Sequence, residues 1–352
     1  MSLIVLHHIF VNTYSLSKIN ICHPKKIILW KYIILKIISN YGRFGNNVFI
    51  MISGYFSVSK TDFNTYKFIY FILEVYTYYY PSIFIGKNLS IKYKNVKFPN
   101  YSNNQIYFPL LSSNGNWFIQ IYLLLLIFIP YINIGLLSLN KQKYKNLVIL
   151  IILFYCLFNS LANIFNFNSN IFKTTNLITL LLPYIIGGYI KIYDLHLKQL
   201  WTLIGFIYFP LTILSEIIFD ILIFKYNTCT FKKFHINLSY EMNSILSIMG
   251  AMGLIYLFKR IKFYSKIINY LSLSVLGIYL IHGNKNISPY IYNIWFETNN
   301  IDDGFFFFKY IIKAILIFGF SLFIDIIRRN TIGLLFSKLT RKYITCNKSI
   351  LF

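Results

Sequence analysis

Apolar runs close to the ~20 residues that cross a bilayer's hydrocarbon recur along the whole 352-residue chain, parted by short polar stretches. In order they cover Met1–Tyr14, Arg43–Phe56, Tyr66–Ile85, Asn116–Ile134, Asn146–Phe165, Thr175–Tyr193, Leu200–Phe224, Glu241–Phe258, Ile267–His282 and Phe308–Ile327. The pattern predicts an all-α fold, a polytopic membrane helix bundle with about ten transmembrane helices. No internal repeat is visible, so residues 1–352 are expected to form a single membrane-embedded domain with no separate soluble domain.

The run Arg43–Phe56, RFGNNVFIMISGYF, is too apolar for a surface loop and short for a span. It holds Asn46, Asn47 and Ser53 beside a glycine hinge at Gly54. Polar side chains at membrane depth are costly unless they face a protein interior or a water-filled cavity, so this segment is expected to line a site. Ahead of it, Ser15–Gly42 interleaves Lys25, Lys26, Lys31 and Lys36 with Ile, Leu, Trp30 and Tyr32, the pattern of an amphipathic helix on the membrane surface. A tight turn is expected at Lys60–Asn64 and a polar, water-exposed loop at Gly86–Gly115.

Ionisable residues inside apolar runs narrow the picture. His7 and His8 are either polar residues near a helix end or, because imidazole titrates near neutrality, groups that move a proton. Glu74 is expected to be paired within the bundle. Glu216 and Asp220 share a helix face near a membrane boundary, and Asp325, Arg328 and Arg329 close the last run. His282 ends LSLSVLGIYLIHGN, where it either bonds a substrate or sits where a helix dipole favours a partial cation. Gly187–Gly188 allows close helix contact. His23 beside Pro24 reads as surface decoration.

Composition supports the membrane reading. Hydrophobic residues make up 57% and charged residues only 12%, about half of what soluble domains carry. The 34 Lys+Arg against 10 Asp+Glu are dispersed in short loops, which suits anionic lipid and argues against nucleic acid. The basic loops Lys141–Lys145 and Lys259–Lys266 and the Arg328–Lys348 tail place both termini in the cytoplasm. Cys22, Cys156, Cys229 and Cys346 have neither CxxC pairing nor metal spacing. The amino terminus lacks the basic n-region of a cleaved signal peptide, and the first helix either begins almost at Met1 or is preceded by further sequence.

Several patches together resemble the acyltransferase 3 family of integral membrane acyltransferases, in its bacterial surface-polysaccharide O-acetyltransferase branch. They are the Val-x-x-His of Val5-Leu6-His7-His8, and the Phe-x-x-x-Ser-Gly-Tyr within RFGNNVFIMISGYF. Asn116–Trp117–Phe118 with Tyr122 and Pro130 follows, then LPYIIGGYIKIY at Leu182–Tyr193, LSVLGIYLIHGN, and IDIIRR at Ile324–Arg329. Their order covers nearly the whole chain. The family's Arg-x-x-Ala pattern ahead of the first histidine falls before Met1, and its Arg-rich patch near the third span is here only Lys60 and Lys67.

The resemblance implies an enzyme of the bacterial cytoplasmic membrane that moves an acyl group, usually acetyl, from acetyl-CoA to a sugar hydroxyl. It implies a saccharide acceptor, lipid contact and no bound cofactor, and leaves the oligomeric state open. His8 takes the catalytic position, with His7 its rival by one register. Such chemistry needs a base for the sugar hydroxyl and fixed donors for the developing oxyanion, for which Asn46, Asn47, Ser53 and Tyr55 are candidates. Arg43 binds CoA phosphate, orients the acceptor, or snorkels to headgroups. Trp117 helps shape a cavity or anchors at the interface, and His282 contacts the acceptor or ends a helix. The rival readings are a flippase for a lipid-linked saccharide, against which the lack of a paired broken helix counts, and a glycan polymerase, against which the Arg-free Gly86–Gly115 loop counts.

Overall fold

Side-chain caps start several of the helices. Asn64 Oδ1 accepts the Lys67 N–H at 2.8 Å, Asn140 Oδ1 that of Lys143 at 2.9 Å, and Ser244 Oγ that of Ser247 at 3.2 Å. The computed structural model describes residues 1–13, 26–93, 106–110, 116–158, 176–194, 198–226, 242–295 and 304–339. Among them the elements are α1 (Ser2–Thr13), α2 (Lys26–Ser57), α3 (Thr65–Lys92), α4 (Trp117–Leu137) and α5 (Lys141–Ile151). They continue with α6 (Leu177–Ile192), α7 (Lys198–Tyr226), α8 (Ile245–Arg260), α9 (Lys266–Ser272), α10 (Val275–His282) and α11 (Phe306–Arg328). Wider π-helical turns extend α5 through Ile152–Leu157 and α11 through Arg329–Gly333. Cys22, His23–Pro24, Cys229, Cys346, much of the Gly86–Gly115 loop and the side chains of Glu216 and Asp220 lie outside the described residues.

The fold is all-α. Among the described residues two stretches, Trp117–Leu137 and Phe306–Leu339, are long and apolar enough to cross a membrane, and Leu177–Ile192 is a shorter apolar helix. Exposed apolar side chains recur at helical spacing on the first two, at Leu124, Phe128 and Tyr131 and at Phe308, Ile315 and Phe323. Such faces are stable against lipid and an aggregation hazard in water.

The chain falls into two compact units. The first takes Met1–Ser15, Phe63–Leu123 and Tyr264–Phe352, and the second takes Leu16–Asp62 and Leu124–Phe263. In the first unit, α10 packs on α11 and α3, and α1 packs on α11. Val5 and Ile9, four apart on one face of α1, are fully buried, and Tyr310 Oη donates to the Leu6 carbonyl at 2.7 Å. In the second unit, α2 lies against α6 and α8, and α7 against α8.

Three expectations are corrected here. Arg43–Phe56 is not a separate short segment behind a surface helix: α2 runs unbroken over 32 residues, about 48 Å at 1.5 Å per residue. Gly54 is accordingly a packing residue and not a hinge, because a Cβ there would strike the Tyr184 carbonyl of α6, as one on Gly187 would strike the Met51 carbonyl. The close helix contact expected of Gly187 is thus made with α2. The run Ile267–His282 is split into α9 and α10 by a turn at Leu273–Ser274, where the Ser274 N–H bonds the Leu271 carbonyl at 3.0 Å and its own carbonyl starts α10.

Candidate active site

In the first unit, the packing of α1 brings His8 against His282, with ring centroids 4.9 Å apart and planes tilted by 49°. His7 follows at 5.7 Å from His8. His282 is fully buried as the last residue of α10, and its Nδ1 lies 2.5 Å from the Ile278 carbonyl one turn back. In the tautomer where Nδ1–H donates to that carbonyl, Nε2 is a bare acceptor. That Nε2 and His8 Nδ1 are both buried without a hydrogen-bond partner. Two unsatisfied imidazole nitrogens on neighbouring rings point to a catalytic or ligand-binding role.

Tyr279 lies 6.0 Å from each of the two rings and donates to Asn116 Oδ1 at 2.6 Å. The same oxygen accepts the Phe118 N–H at 3.2 Å, so Asn116 caps α4 while tying it to α10. With Oδ1 doubly engaged, the amide nitrogen of Asn116 is turned toward Gly283. A Cβ on Gly283 would lie 3.6 Å from that nitrogen and 3.3 Å from His8 Cε1, so the missing side chain keeps this space open. Gly283 and Asn116 also line a cavity of about 50 Å³, together with Tyr78, Gln120, Asn284 and Lys285 over a floor of Val75, Ile119 and Leu280. Amide and phenol groups over an apolar floor suit a small hydroxylated ligand. Trp117, half-buried, turns its ring edge-on to Phe118 at 5.8 Å, and it is Phe118 that meets Tyr279, at 5.3 Å.

A buried ion network fixes the other side of α10. Arg328 donates through Nη2 to Glu74 Oε1 at 2.7 Å and to Asp325 Oδ1 at 2.8 Å, and through Nε to Tyr78 Oη at 2.9 Å. Tyr78 in turn donates to Asp325. Glu74 is therefore paired inside the bundle. Asp325 packs against Gly277, where a Cβ would collide with its carboxylate, so α10 is held against α11 five residues before His282.

The remaining candidates belong to the second unit. Asn47 is fully buried and donates to the Met242 carbonyl at 2.6 Å and to Ser247 Oγ at 2.8 Å. Asn46 meets Met242 Sδ at 3.8 Å, and Ser53 donates to the Phe49 carbonyl of its own helix at 3.1 Å. The donor groups of Asn46 and Asn47 thus hold α2 to the segment that starts α8, and that of Ser53 stays within α2, while Asn47 Oδ1 is buried without a partner. Arg43 is half-buried on α2. Tyr55, at the end of α2, lies under two ammonium groups, with Lys191 Nζ 5.0 Å and Lys259 Nζ 5.8 Å from its ring centroid.

A family model described as an acyltransferase domain, that of the acyltransferase 3 family, matches residues 1–327. The chain belongs to the acyltransferase 3 family. No curated protein and no solved structure gives a match. The match runs from before α1 nearly to the end of α11, so it takes in the His8–His282 pair, the cavity and the Glu74, Tyr78 and Asp325 members of the ion network, and stops one residue short of Arg328. This protein is therefore an acyltransferase of a membrane-bound family, with an acyl donor and an acceptor as substrates.

Sequence reasoning on this acyltransferase passed over Tyr279, Tyr78 and Gly283 as site residues. Tyr279 had a signal, since it stands three residues before His282 and so shares its helix face. Tyr78 had a similar one, four residues after Glu74. Gly283 had none beyond ending a helix, because what its missing Cβ leaves room for belongs to α1 and α4.

Proposed function

We propose that this acyltransferase moves an acetyl group from acetyl-CoA to a hydroxyl of a cell-surface polysaccharide or glycolipid sugar, with His8 as general base. The observation that carries the reading is the pair of unpartnered nitrogens, His8 Nδ1 and His282 Nε2, on rings 4.9 Å apart. The sugar oxygen attacks the thioester carbonyl while His8 Nδ1 takes its proton, a contribution of about 10²–10⁴-fold for a positioned imidazole. The tetrahedral oxyanion accepts a hydrogen bond from the Asn116 amide nitrogen, worth about 3 kcal/mol for one fixed donor. The carbon–sulfur bond then breaks, and the coenzyme A thiolate leaves with the proton from the His8 imidazolium. His282 Nε2 accepts from a second acceptor hydroxyl and orients the sugar.

In this reading the protein spans the bacterial cytoplasmic membrane about ten times with both termini inside. The loops after α3 and α10, which line the cavity, then face outward toward the acceptor. The turns after α2, α6 and α8 face the cytoplasm, from which the donor comes.

The test is O-acetyl content of surface polysaccharide, by proton NMR, in a deletion strain complemented with wild type, His8→Ala or His7→Ala at matched expression. Acetyl lost with His8→Ala and kept with His7→Ala is the expected result. Unchanged acetylation in the deletion strain itself rejects the reading for that glycan, and transport of a lipid-linked sugar becomes the next assay.

A further inference from the structure

Tyr55 carries an arrangement that the chemistry at His8 does not use. Lys191, one residue before the end of α6, and Lys259, one before the end of α8, both hold their ammonium groups over its ring. The close approach at Gly54 and Gly187 sets up the first of these contacts, since it brings the ends of α2 and α6 together. Lys259 reaches Asp194 at 3.3 Å, but Asp194 is shared with Lys198 at 2.9 Å and with the Tyr256 hydroxyl. Lys191 has no carboxylate partner among the described residues, and its contact is the Tyr55 ring. The cluster therefore sets two ammonium groups against a single ring, one of them sharing the Asp194 carboxylate with Lys198 and the other with no carboxylate partner among the described residues. Two like charges at one ring repel, and a ring quadrupole offsets only part of the cost. A doubly charged anion bound by the Lys191 and Lys259 ammonium groups would offset that cost. The Tyr55 hydroxyl, with no partner among the described residues, supplies a further donor.

We infer that Tyr55, Lys191 and Lys259 form a phosphate-ester site that takes the nucleotide phosphates of the acyl donor. The inference rests on the proposed coenzyme A donor and on the cytoplasmic position of the α2, α6 and α8 ends, where such a donor arrives. A phosphate ester is also the chemistry of a phospholipid headgroup, so the experiment separates the two sources.

The full chain is reconstituted in phosphatidylcholine nanodiscs and titrated calorimetrically with coenzyme A, with adenosine 3′,5′-bisphosphate and with dephospho-coenzyme A. Lys191→Gln is expected to weaken coenzyme A binding about tenfold, the equivalent of one charge-assisted contact. Lys191→Arg is expected to restore it. Lys143→Gln, a cation at the start of α5 outside the cluster, is expected to leave it unchanged, and added salt to weaken the wild type. Equal affinity in wild type and Lys191→Gln overturns the site. So does a variant whose only change is weaker retention of phosphatidylglycerol in mixed discs, which makes the cluster a headgroup site. In both cases acyl transfer by wild type leaves the proposed function standing. Wild type that neither binds coenzyme A nor transfers from its thioesters removes both.

Discussion

Gly283→Ala separates catalysis from folding. Gly283 has ordinary right-handed backbone angles, φ −87° and ψ 0°, so alanine meets no dihedral penalty. The new methyl sits 2.9 Å from the Tyr279 carbonyl oxygen and 3.3 Å from His8 Cε1. Normal carbon–carbon contact is about 3.5–4.0 Å, so His8 must retreat by a few tenths of an ångström or more. The cost to stability is about 1–3 kcal/mol, the ordinary range of overpacking, since the Tyr279 carbonyl as well as His8 must give way. Transfer suffers as well. A general base works only within hydrogen-bond reach of its proton, and misplacement by ~1 Å costs on the order of 10²-fold. The expected result is kcat down about 10- to 100-fold with an unfolding midpoint within a few degrees of wild type. The assay pairs acetyl transfer from acetyl-CoA in nanodiscs with thermal unfolding of the same preparation. Wild-type kcat in Gly283→Ala refutes the placement of His8 beside the reacting atoms. A collapse in stability refutes the packing argument instead.

Two further substitutions test other parts of the site. Asn116→Asp keeps the oxygen that caps α4 and accepts from Tyr279 but exchanges the amide donor for a carboxylate oxygen, so transfer is expected to fall about 10²–10³-fold with little change in the unfolding midpoint; loss of both together would assign Asn116 to structure alone. Arg328→Met strands the Glu74 and Asp325 carboxylates and is expected to cost about 3–5 kcal/mol of stability, most of which returns when Glu74→Leu and Asp325→Leu are added. Chemical unfolding of the purified variants measures both, and a single variant as stable as wild type contradicts the network.

Much of this acyltransferase was legible one residue at a time. Apolar runs without partners in water specify helices in lipid, so the all-α class needs only hydropathy and length. Asn64 and Ser244 mark helix starts through bonds to their own near neighbours, which is why a turn near Lys60–Asn64 could be read directly. Glu74 in an apolar run calls for a counter-charge, because an unpaired carboxylate there is too costly, and the chain contains few arginines to supply it. The order of short motifs pointed to the family.

What the sequence leaves open depends on contacts between residues distant in the chain. Glycine at position 54 is equally compatible with a hinge and with a packed helix, and the Tyr184 carbonyl of another helix decides for packing. Asn47 reads as an oxyanion donor in isolation, yet its amide is committed to Met242 and Ser247, some 195 and 200 residues away. His8 and His282 are separate polar interruptions in the sequence, and only the packing of α1 beside α10 sets their rings against each other. Local propensity and hydropathy act within one element and so can be read along the chain. The pairing of two imidazoles, or of Arg328 with Glu74, is settled by which helix faces meet, a choice made by the whole core at once.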